Sequence, residues 1–115
     1  MKFRFYKGEN MKDIKKFIKD FKNFGTGKEI IDCFSNGYCY WFAYILKTRF
    51  PNGKIYYVPV DNHFIFSYEN SLFDITGDCS VNYLDKLIYS WEYYQYQESG
   101  SNHLNKLKND CILKI

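Results

Sequence analysis

Three residue types in this sequence could do chemistry together: a cysteine at position 39, a histidine at 63 and an aspartate at 74. Cys39 heads an almost wholly apolar run, "CYWFAYILKTRF", that reads as a helix. In the first turn of a helix, unpaired backbone N–H groups and the helix dipole favour negative charge. A thiol there, beside a protonated histidine, can titrate at roughly 3.5–7.5 instead of about 8.5. The thiolate is the nucleophile, so position matters more than the presence of a cysteine. The same N–H groups could receive an oxyanion. His63 would take the thiol proton and later return it to a leaving group, and Asp74 would fix the imidazole tautomer. The plainer alternatives are a core cysteine and a satisfied polar histidine, since cysteine is among the residues most often buried. Asp74 resists that reading, because aspartate is disfavoured inside a strand and rarely buried unpaired.

The elements that must hold these groups are a helix from "NGYC" to Phe50 and three candidate strands after the "PNG" turn at 51–53. The strands are "KIYYVPV" at 54–60, "HFIFSY" at 63–68 and "LFDIT" at 72–76. Pro59 ends the first strand or sets it at an edge. The polar "ENS" between the last two signals a hairpin. Its loop length decides whether the chemistry is possible. If Tyr68 pairs with Ser71, residue 65 faces 74, and His63 lies diagonally beside Asp74 on one face, with Cβ atoms about 7–8 Å apart. A loop of odd length sends the two to opposite faces. Both register classes are open to the sequence. The three groups must converge from separate segments at a surface depression.

Residues 11–24 read as a helix. Met11, Ile14, Phe17, Ile18, Phe21 and Phe24 follow helical spacing, with Asn10 as cap and Gly25 as stop. Lys12, Lys15, Lys16, Lys19 and Lys22 then fall mainly outside, as a solvated face or a docking surface for an acidic partner. Residues 2–6 alternate as a short strand. A helix is expected over 83–92 with Asn82 as cap and Leu84, Leu87, Ile88 and Trp91 inward. A shorter helix follows near 102–110, then a final strand "CILKI". The tyrosines of "YSWEYYQYQ" suit core packing or a protein contact better than base stacking. His103 reads as surface. Helices, then an antiparallel meander, then helices make an α+β fold, with a central helix packed on a small antiparallel sheet.

The chain has 115 residues, enough for one hydrophobic core, so residues 1–115 read as a single domain. With 46% hydrophobic and 22% aromatic residues the core must be largely Phe and Tyr. A net charge of +3 demands no nucleic-acid partner. No apolar stretch suits a signal peptide or a membrane span, so no membrane association is expected. Cys33, Cys39, Cys79 and Cys111 form no CxxC pairs. Neither a disulfide framework nor a zinc site is therefore expected; no metal or other cofactor is implied, and a reducing cytoplasm is the expected home. Cys33, Cys79 and Cys111 read as small apolar fillers.

The motifs also carry a resemblance. "GYCYWFA" resembles the G-x-C-x-x-F-A signature at the head of the catalytic helix in transglutaminase-like domains, members of the papain-like group of thiol enzymes. "NHFIF" resembles the strand bearing that group's histidine, and "FDITG" its D-x-T segment. The pattern is also similar to small bacteriophage and prophage proteins with C-Y-x-F-A, N-H-F and Y-D-x-T-G, over about residues 34–78. The resemblance implies a papain-like core and a catalytic triad of Cys39, His63 and Asp74. It also implies acyl-transfer chemistry on a peptide, amide or isopeptide bond. Papain-like proteases set a glutamine before the cysteine to line the oxyanion hole; none stands there in this chain, and Asn36 is the residue that could substitute. The expected activity is a cysteine-dependent hydrolase or acyl-transferase acting on a protein or peptide, with a host protein as partner in a host bacterial cytoplasm. The alternative is a non-catalytic binding module on the same fold that inhibits a host enzyme or defence complex. The oligomeric state is left open.

Overall fold

The computed structural model describes residues 11–23, 27–35 and 37–113. The expected strand at 2–6, the Asn10 cap and the Gly25 stop lie outside them. The first helix, α1, runs Met11–Lys22 as the spacing predicts, with Ile14 and Ile18 buried and its lysines turned outward. Asp13 in its first turn and Lys19 and Lys22 in its last suit the helix dipole. A second helix, α2, Gly27–Ser35, was not expected from the sequence; Ile30, Ile31 and Phe34 pack it against the core. The third, α3, spans Cys39–Arg49 and buries Cys39, Phe42, Ala43 and Leu46. Phe42 is wedged between Phe21 of α1 and Phe34 of α2, with ring centroids 5.2 and 5.6 Å away.

Five antiparallel strands follow: β1 Lys54–Val58, β2 His63–Tyr68, β3 Ser71–Asp74, β4 Gly77–Asp78 and β5 Tyr89–Ser90, in spatial order β4-β3-β2-β1-β5. β1 stops one residue before Pro59, which cannot donate to the ladder. The β2–β3 connection is a two-residue turn, Glu69–Asn70, with both residues at positive φ (48° and 65°). Such a turn matches the right-handed twist of the flanking strands and fixes their register. Tyr68 faces Ser71, and Phe66 faces Phe73.

Strand alternation gives the sheet two covered faces. Ile55, Tyr57, Phe64, Phe66, Tyr68 and Phe73 pack beneath the helices. Val58, Ile65, Tyr56 and Leu72 point the other way, under Cys79, Tyr83 and Ile88. The segment that covers this second face corrects the expected helix over 83–92. It contains a 3₁₀ turn, Ser80–Tyr83, and an irregular stretch that leads into β5. Leu84 and Leu87, expected inward, are 79% and 74% exposed. The helix there, α4, starts later, at Trp91–Gln97, capped by Ser90, whose Oγ accepts from Tyr93 N–H. The C-terminal helix α5, Asn102–Leu107, is as expected and is capped by Ser101. It widens into a π turn, Lys108–Ile112, with Cys111 buried. Cys111 and Ile112 are therefore helical, not part of a final strand. The result is an α+β fold with a small antiparallel sheet.

Candidate active site

Cys39 is the first residue of α3. Gly37, at φ +103°, turns the chain into the helix in a conformation that L side chains rarely adopt. Tyr38 holds the cap position, and its side chain makes no capping hydrogen bond to the start of the helix. Trp41 N–H and Phe42 N–H both bond back to the Tyr38 carbonyl, at 3.0 and 3.2 Å. Asn36, the residue considered for an oxyanion hole, lies outside the described residues.

His63 opens β2 opposite Val58. Asp74 closes β3, and the register that sets Phe66 against Phe73 sets Asp74 against Ile65. The two-residue turn thus realises the even register class, and the diagonal pair forms. His63 Nε2 lies 3.0 Å from Asp74 Oδ2. The other carboxylate oxygen, Oδ1, accepts from Thr76 N–H at 2.8 Å and from the Thr76 hydroxyl. Each oxygen of Asp74 therefore has its own partner. The Asp74 contact engages Nε2 and leaves Nδ1, and Cys39 is near enough to the ring to help raise its affinity for a proton.

The backbone parity makes this convergence unusual. His63 and Asp74 belong to the sheet face of Val58 and Ile65, whereas α3 packs on the face of Phe64 and Phe66. Cys39 is the first residue of α3 and His63 the first of β2, so both stand at the ends of their elements. The site is closed rather than an open depression. Cys39 is 4% exposed, and the His63 and Asp74 side chains are 13% and 12% exposed. Tyr57 and Phe64 shield it on one side, and Cys79 and Tyr83 on the other.

Electrostatics follow from this burial. Loss of water opposes protonation of His63, but the Asp74 bond and the bond and charge of Cys39 outweigh it and raise the imidazole to about 9. Burial likewise works against ionisation of Asp74; the His63 and Thr76 bonds prevail and hold its carboxyl below the usual range. His63 is thus an imidazolium at neutral pH, facing a carboxylate. Burial, and then the nearby Asp74 and Asp78 charges, push the Cys79 thiol up.

Sequence reasoning missed two neighbours. Thr76 had a signal: an aspartate two residues before a threonine is a local turn in which the side chain accepts from the backbone ahead. Tyr83 had none, because the expected helix gave it no special place. Cys33, expected as an apolar filler, is exposed on α2, while Cys79 and Cys111 are buried; none of the four cysteines is in a disulfide. His103 is a surface residue whose ring meets the edge of Tyr94. Among the described residues, no group of three His, Cys, Asp or Glu side chains could hold a metal ion, and no helix is long and apolar enough to cross a membrane.

A family model described as "Phage YunG-like protein" matches residues 10–111. No curated protein and no solved structure matches the chain.

Proposed function

The chain belongs to the phage YunG-like protein family, and from that premise we propose that it is a thiol enzyme of papain-like, transglutaminase-like organisation. Cys39 is the nucleophile, His63 the general base and acid, and Asp74 the group that orients the imidazole. The observation that supports this reading is the His63 ring bound at 3.0 Å to the Asp74 carboxylate, with Cys39 near enough to raise the imidazole's affinity for a proton.

The chemistry runs as an acyl transfer on a peptide, amide or isopeptide bond of a protein substrate, a host protein in the bacterial cytoplasm. The proton that Cys39 has given up rests on His63, whose imidazole is raised to about 9, and the thiolate of this ion pair attacks the carbonyl carbon. The carbonyl oxygen takes the negative charge next to the backbone N–H groups at the start of α3. Collapse expels the amine, which takes the proton from His63, and leaves a thioester on Cys39. Water or an acceptor amine then attacks the thioester and gives its proton to His63, and the Cys39 thiolate leaves beside the restored imidazolium. Asp74 stays ionised throughout and keeps Nε2–H directed away from the sulfur.

Alkylation tests this reading. In a Cys33→Ser background, iodoacetamide at about pH 6 should modify Cys39 much faster than a thiol in a model peptide. A rate no faster than the peptide's would remove the enzyme from consideration.

A second reading has its own observation. The thiol is 4% exposed, whereas Val60, Leu84 and Leu87 stand 73–79% exposed on the outside. Those features suit a binding module that inhibits a host enzyme or defence complex, with the buried triad as a structural element. Under that reading, Cys39→Ala leaves the biological effect intact.

A further inference from the structure

We propose that Tyr83 is the fourth member of this site, and that its hydroxyl donates a hydrogen bond to the oxygen of the carbonyl that Cys39 attacks. The inference rests on the thiol-enzyme reading above and assigns a group that neither the motifs nor the family supplies.

The placement comes from register and packing. Val58 is the cross-strand partner of His63, and Ile65 is that of Asp74. Tyr83 packs on Val58, Ile65 and Cys79, so its ring lies on the sheet face that bears both His63 and Asp74. The ring is pinned from outside: Lys86 Nζ stands 5.2 Å over its centroid and is itself held 2.9 Å from Asp61. Asp61 lies in the β1–β2 loop, two residues before His63. The 3₁₀ turn that carries Tyr83 is thereby tied to the loop that delivers the histidine.

The electrostatic surroundings suit a donor, not a base. Burial first, and then the neighbouring Cys79, Asp74, Asp61 and Cys39, raise the phenol above its ordinary range, so it keeps its proton. A phenol that keeps its proton next to a thiolate and a carboxylate can only give a hydrogen bond to a new negative oxygen. The helix start contributes backbone N–H groups from one side of the sulfur. Tyr83 approaches from the other sheet face, where the chain has no glutamine at the papain-like spacing to do so.

Acylation and alkylation separate the two proposals. Iodoacetamide alkylates sulfur by displacing iodide and forms no oxyanion. p-Nitrophenyl acetate acylates it through a tetrahedral oxyanion: the sulfur–acyl bond forms, the ester C–O bond breaks, and p-nitrophenolate leaves. In the full chain carrying Cys33→Ser, Tyr83→Phe should lower the acylation rate of Cys39 about a hundredfold, the scale for loss of one oxyanion donor. Its alkylation rate should stay within twofold of the parent. Equal acylation rates in parent and variant would overturn the proposal. So would a parallel fall in both rates with an unchanged melting temperature, which would assign Tyr83 to the thiol itself. If the parent shows no enhanced alkylation, the thiol-enzyme reading falls, and this inference falls with it. A measurement that keeps the ring in place guards against misfolding: 3,5-difluorotyrosine incorporated in place of Tyr83 should make acylation, but not alkylation, decline at a lower pH than in the parent. Coincident acylation profiles would overturn the proposal.

Discussion

Replacing Asp74 with asparagine removes the charge beside His63 while keeping a shape that still accepts from Thr76. The side-chain amide would then point N–H groups at Nε2–H, donor against donor. The magnitude can be worked from the site. His63 is raised from 6.5 to about 9, and at about 1.4 kcal/mol per tenfold this corresponds to about 3 kcal/mol. A group whose folded pKa lies above its unfolded one adds stability that is complete below the unfolded value and is lost as pH rises through the folded one. The His63 contribution is therefore full below about 6.5 and gone above about 9. In the variant the first of the forces that favour the proton is gone while burial, which opposes it, remains. The proton affinity of His63 should fall at least tenfold, and the parent should exceed the variant in stability more at pH 6 than at pH 10. Long-range proton–nitrogen NMR of the imidazole rings, followed from pH 5 to 10.5, reads the first effect; urea unfolding at the two pH values reads the second. The chain has two histidines, so His103→Gln assigns the signals. A parent His63 that loses its proton near 6.5, or a variant that titrates like the parent, would refute the reasoning.

Further expectations concern the frame around the site. Gly53→Ala should destabilise the fold by about 1–3 kcal/mol in urea titration, because an added Cβ would stand 2.2 Å from the Phe66 ring and 2.7 Å from the Ser67 carbonyl oxygen. Phe42→Ala should cost about 3–5 kcal/mol, since its side chain is 1% exposed and joins α1, α2 and α3 in one aromatic cluster. Unchanged midpoints in either variant would contradict the packing described. Cys79, 1% exposed with its thiol pushed up by burial, should resist iodoacetamide under conditions that label Cys39 and become labelled in denaturant. Mass spectrometry of the alkylated chain checks this.

The strands and their hairpin were legible because alternation and turn chemistry are local. "HFIFSY" was placed residue for residue, and Pro59 marked where β1 had to stop. The His63–Asp74 pair was legible only as one of two register classes, since the sequence does not state the length of its own turn. α1 and α3 were read from apolar spacing and a glycine turn. The segment over 80–90 was misread because Leu84, Leu87, Ile88 and Trp91 repeat at helical intervals. The fold instead buries Trp91 under the helices, half-buries Ile88 on the other sheet face and leaves the two leucines in solvent. Periodicity reports which residues could share a stripe, not whether anything is there to cover it. α2 was missed because its apolar residues, Ile30, Ile31 and Phe34, make sense only once α1 and α3 provide the surface. The closure of the site was not legible, since it depends on how two covering layers meet.

The Glu69–Asn70 turn has a consequence for descent as well as for geometry. A one-residue slip of β3 along β2 would turn Asp74 to the opposite face in a single step, however faithfully Cys39, His63 and Asp74 themselves were inherited. Insertions that leave Tyr68 opposite Ser71 would spare the partnership, so descent should tolerate a longer loop and resist slippage of the ladder.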